Sequence, residues 1–120
     1  MTYPRRTAPE YLRDILEFCQ RIEHYTAGMS LDDFLANRLV QDAVTRNVEI
    51  IGEAARQLLE VEPDMPMRFP SIPFRALYGM RNRIIHGYSS MRLNTVFQVA
   101  KDDVPVLRDA VTAALAALKP

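Results

Sequence analysis

Tryptophan is missing from this chain, and cysteine nearly so: Cys19, in LEFCQRI, is the single thiol. One cysteine cannot close a disulfide within the chain, so a reducing, cytoplasmic setting is expected. Cys19 falls on an apolar helical repeat and is read as a small core residue rather than a nucleophile. No apolar run approaches the roughly 20 residues that span a bilayer, which argues against a membrane partner. The opening MTYPRRTAPEYLRD carries arginines without the apolar stretch of a secretory leader. Metal ligands are sparse as well. His24 and His86 are far apart in sequence, and no carboxylate lies close to His86 in the sequence. That is no ligand set, so neither metal nor cofactor is expected.

A further absence is local. Between Met65 and Lys101 there is no Asp or Glu, while Arg68, Arg75, Arg81, Arg83, Arg92 and Lys101 lie inside that stretch. It therefore carries six positive charges, and the remainder, with nine basic and fifteen acidic residues, balances it to a net charge of zero. A neutral protein with one cationic third can attract an anion locally. The same arginines could instead pair with acids on other helices.

What is present is a single domain, residues 1–120, with 48% hydrophobic and 25% charged residues. A chain of this length buries roughly two thirds of its unfolded surface. Thr7-Ala-Pro-Glu10 fits a capping box opening a helix, and Leu12, Ile15, Leu16, Phe18, Cys19 and Ile22 give it an apolar stripe to about Tyr25. Gly28 ends that segment and Ser30 can cap the next. LDDFLA reads as a short helix of its own. Val40, Val44, Val48, Ile51, Ala55 and Leu58 then keep the helical period. Gly52 interrupts that helix with a residue worth about 1 kcal/mol less than alanine, which close approach of another helix would explain. Four prolines in residues 62–73 predict a loop. A helix follows from about Pro73 to Gly87. A last helical region covers roughly Asn94 to Leu118, with a kink or break at Pro105 where Asp102 and Asp103 could cap a restart. No strand is convincing. The expected fold is all-α, an up-and-down bundle of four or five helices.

Residues 81–88 read RNRIIHGY. On a helix, Leu77, Ile84, Ile85 and Tyr88 fall within about 60° of Arg81, which therefore projects from the apolar stripe. An arginine there needs a partner, and Glu53 is a candidate. Arg75, Gly79, Asn82 and His86 form an adjacent polar strip, and Gly79 leaves room on it. His86 can accept or donate a proton near neutral pH, and the Arg81 fork suits two phosphate oxygens. His24 is read as a surface cation at a helix end. Packing alone is the other explanation of the same residues.

Arg81, Asn82, His86 and Tyr88 together match Arg-Asn-x3-His-x-Tyr, which resembles the signature of HEPN domains of the HepT-like toxin group. RNVEIIGEAARQL, IPFRALYGMRN and DDVPVL are similar to further blocks of that family, in the same order. Phe74 stands where many members have tryptophan. The resemblance implies an α-helical homodimer acting as a metal-independent endoribonuclease. It also implies a minimal nucleotidyltransferase antitoxin as partner, which in one branch adenylylates the motif tyrosine, here Tyr88. On that basis Arg81 is expected to hold the scissile phosphate of an RNA substrate, His86 to transfer protons and Asn82 to assist. Arg75 and Arg83 are candidates for RNA backbone contacts. Each protomer supplies one such histidine, so a two-fold dimer would bring base and acid from different chains. The competing expectations are a non-catalytic module holding nucleotide for a nucleotidyltransferase, and an inert dimerisation scaffold.

Overall fold

The computed structural model describes residues 6–87 and 92–118, so Tyr88 lies outside the described residues. The elements are α1 (Ala8–Tyr25), α2 (Leu31–Leu35), α3 (Arg38–Val61), α4 (Met65–Arg68), α5 (Phe74–His86), α6 (Leu93–Gln98) and α7 (Val104–Ala117). A π-helical turn, Val99–Asp103, joins α6 to α7 without a break. Four long rods and two short helices therefore make up an all-α bundle, and no strand occurs among the described residues.

Local chemistry sets the ends of these elements. The Thr7 hydroxyl accepts from the Glu10 amide at the start of α1, satisfying a donor that the first turn leaves orphaned. Gly28 supplies the positive φ (71°) that turns the chain after α1. Ser30 and Asp33 then form a full capping box on α2, and Asn37 caps α3. Residues 62–73 are not wholly loop. Pro66, early in the first turn, is compatible with the single helical turn of α4, where its missing N–H would be unsatisfied anyway.

The apolar stripes meet in one core. Leu12, Ile15, Cys19 and Ile22 of α1 are fully buried, with Val44, Ala55 and Leu58 of α3 and Val111 of α7. Burying each large aliphatic side chain contributes roughly 1.5–3 kcal/mol. Phe34 closes one end of the core against Phe97, ring centroids 5.2 Å apart. Helix α3 is central, packing on α1 and on α5, and α1 packs on α7. No described helix is long and apolar enough to cross a membrane.

Pro105 was expected to kink or break the last rod, with Asp102 or Asp103 capping a restart. The chain instead continues, and Asp103 makes no capping hydrogen bond. Proline lacks the N–H that would bond four residues back, and its ring crowds that carbonyl. A wider turn relieves both constraints: the Val104 N–H reaches the Val99 carbonyl, five residues back.

Candidate active site on α5

Helix α5 lies at the edge of the bundle, and of its residues only Phe74 and Ile84 are buried. It closes against α3 at Gly52. A Cβ on Gly52 would stand 2.3 Å from the Arg81 Cβ and 2.5 Å from the Leu77 carbonyl oxygen. Any side chain there would push the helices apart, so the expected close approach is what Gly52 permits. Gly79, by contrast, has nothing within 4 Å of where its Cβ would stand and faces open space.

Arg81 thus starts at the α3–α5 contact, and its side chain is 25% exposed. Its Nε is buried and lies 3.3 Å from Glu53 Oε2, without the alignment of a hydrogen bond. Its Nη1 donates to Asn82 Oδ1 at 2.9 Å. Glu53 itself is held by others. Arg56 donates from Nη2 to Oε1 at 2.6 Å and from Nε to both oxygens at 3.2 Å. Gln57 adds a bond to Oε1 at 2.9 Å. Those hydrogen bonds, Arg56 foremost, bring the Glu53 carboxyl down to about 2, so it is ionised at any ordinary pH.

Beyond Arg81 the outer face of α5 forms an open depression of about 570 Å³. It is lined by Tyr78, Arg81, Asn82, Arg83, His86 and Gly87. His86 is exposed in the last helical turn, and the Gly87 N–H closes that turn on the Arg83 carbonyl. Four sequence candidates, Arg81, Asn82, Arg83 and His86, therefore share one concavity. Arg75 is exposed on the same helix but is not part of the lining. Neither Arg75 nor Arg83 forms an ion pair with a described residue.

The anticipated Glu53 partner is present, but the pattern of contacts differs from a closed pair. Arg56 and Gln57 take the aligned bonds to the carboxylate, and Arg81 is left beside it. Arg56 and Gln57 did not stand out in the sequence, although they sit three and four positions after Glu53, where helical side chains meet. Asn82 was expected to reach a phosphate or the imidazole; it accepts from Arg81 instead. Two other cations of the acid-free stretch are occupied elsewhere. Lys101 Nζ donates to the Thr26 carbonyl at 2.6 Å, and Arg68 lies over the Phe69 ring, 5.4 Å from its centroid. Among the described residues no three His, Cys, Asp or Glu side chains are placed to hold a metal ion.

The family model described as HepT-like, ribonuclease HepT-like, matches residues 15–114. A Thermococcus cleftensis protein named "Probable ribonuclease HepT" is 35% identical over 104 residues, covering 87% of this chain and 92% of the relative. Two Methanocaldococcus jannaschii proteins, each named "Putative RNase", are 35% and 32% identical. The first alignment covers 88% of this chain and 84% of the relative, the second 89% and 95%. The matched span contains the α3–α5 contact and the whole depression. The chain belongs to the ribonuclease HepT-like family.

Proposed function

We propose that this protein is a metal-independent endoribonuclease whose site is the depression on α5. The observation that carries the reading is the shared concavity of Arg81, Asn82, Arg83 and His86, an exposed imidazole beside a steadied guanidinium. RNA holds its own nucleophile, so the protein need not activate water. A base takes the proton of the 2′-hydroxyl, whose oxygen attacks the adjacent phosphorus. The bond to the 5′-oxygen breaks as an acid returns a proton to it. The products are a 2′,3′-cyclic phosphate and a 5′-hydroxyl. His86 suits either proton transfer, and Arg81 offsets the charge that grows on the phosphorane. Arg83 and Arg75 attract the flanking backbone.

Base and acid are required together, and each depression holds one histidine. A homodimer that faces two depressions supplies His86 twice, once in each role. The chain then acts as the toxin of a toxin–antitoxin pair, held in check by a minimal nucleotidyltransferase. Adenylylation of Tyr88, one residue past the end of the depression, would place phosphate charge where RNA must bind. Incubation of the pure protein with RNA in EDTA tests the core of this reading. Fragments ending in 2′,3′-cyclic phosphate and 5′-hydroxyl are expected. RNA bound but left whole would point instead to a non-catalytic binding module.

A further inference from the structure

Glu53 is absent from the depression, yet it is the only acid paired with Arg81 among the described residues. We infer that Glu53 is a positioning residue for the proposed cleavage, one that sets the Arg81 guanidinium at the angle from which it meets the scissile phosphate. The inference rests on the ribonuclease reading for its purpose, but its geometry stands apart from it.

Arg81 is constrained at three points. The Gly52 contact fixes its Cβ against α3, Glu53 Oε2 stands 3.3 Å from its Nε, and Asn82 takes its Nη1. Its third nitrogen, Nη2, has no acceptor among the described residues. Long side chains lose much rotamer freedom when they bind a ligand, and an arginine already held on two nitrogens has less to lose. Restraint could equally have disabled the residue, because a carboxylate in full ion pairing would compete with phosphate for it. Arg56 prevents this. It and Gln57 make every aligned hydrogen bond that Glu53 accepts, and the Arg81 Nε remains unbonded beside the carboxylate. Glu53 therefore orients Arg81 without capturing it. Arg56 bonds Glu60 as well, 2.6 Å from Nη1 to Oε1, which ties the arrangement down along α3. Gly52 and Glu53 are adjacent, so one turn of α3 sets both the root and the head of the arginine.

Two measurements on the full chain test the role. The first is independent of RNA: side-chain NMR of protein labelled with 15N at arginine Nε, with the Arg81 signal assigned by its loss in Arg81→Lys. In the wild type the Arg81 Nε–H should be ordered and slow to exchange, and in Glu53→Ala and Glu53→Gln it should average with the mobile surface arginines. An Arg81 signal unchanged in both variants overturns the inference. The second is steady-state cleavage. Glu53→Gln should lower kcat at least about tenfold per folded molecule while KM stays level or falls, since a negative charge beside the phosphate site is gone. Glu53→Asp should recover part of kcat. A merely structural Glu53 would lower the melting temperature and leave kcat per folded molecule unchanged, which also overturns the role. Absence of cleavage by the wild-type chain would count against the ribonuclease reading, and the NMR measurement would still decide whether Glu53 holds Arg81.

Discussion

Helices α1 and α5 each end with a histidine in the last turn, and their surroundings could hardly differ more. After His24 the chain folds back into the protein. Thr26 is buried, its hydroxyl donates to the Ile22 carbonyl at 2.9 Å, and its own carbonyl receives Lys101. His24 leans edge-on against Tyr25, ring centroids 6.2 Å apart. After His86 the chain leaves at Gly87, and the imidazole stands on the rim of a depression that also holds Arg81 and Asn82. A basic residue at a helix C-terminus is favourable in both places through the helix dipole. Position on a helix therefore says little about role. What separates the two ends is whether the neighbouring polar groups are already used by the protein.

The sharpest way to break that contrast is a pair of alanine variants. His86→Ala should reduce RNA cleavage at least about 100-fold, the usual range for losing a general acid or base, and His24→Ala should leave it within about twofold. Equal losses in the two variants would erase the distinction. A second pair concerns what holds the α5 end in place. Gly52→Ala should destabilise the fold by about 2 kcal/mol in urea melts, because overpacking outweighs the gain in helix propensity. Gly79→Ala, facing open space, should be neutral or stabilise by up to about 1 kcal/mol.

Smaller effects should divide in the same way. Lys101→Met, at the α1 end, removes a charged donor from a buried carbonyl and should lower stability by about 1–2 kcal/mol without altering RNA binding. Arg83→Gln should do the reverse, leaving the melt unchanged and reducing the salt dependence of RNA affinity by about one unit of slope. The last prediction is one of pH. The folded-state pKa of Glu53 is about 2, below its ordinary value of 4.5. Its contribution is thus fully present above pH 4.5 and is lost as pH falls toward 2. Urea melts at neutral pH and near pH 3 should show a smaller acid loss in Glu53→Gln than in the wild type.

Most of the helices could be read from the sequence because their signals are local. Thr7, Ser30 and Gly28 mark ends through their own side chain or φ, and the buried positions of α1 and α3 follow the helical period. The close approach at Gly52 was also legible, since a glycine inside a good helix asks for a reason. The short helix α4 was not, because proline content alone does not separate a loop from a helix that begins on proline. The π-helical turn was missed on the same ground: Pro105 announces a conflict but not its resolution. At the site, Arg81, Asn82 and His86 were visible through their spacing. The sharing of Glu53 among Arg56, Gln57 and Arg81 was not, because it depends on rotamers chosen between two helices.

The π-helical turn also stores a register. Val96, Ala100, Val104, Leu107, Val111 and Ala114 all reach the core from one continuous rod, and the widened turn lies among them. Deleting one residue from Val99–Asp103 could restore ordinary α-helical winding, yet it would swing everything downstream by about 100°. Leu107 and Val111 would then turn toward water, and α7 would lose its seat on α1. The last rod is thus counted out to the residue, and its length is protected by geometry rather than by any single side chain.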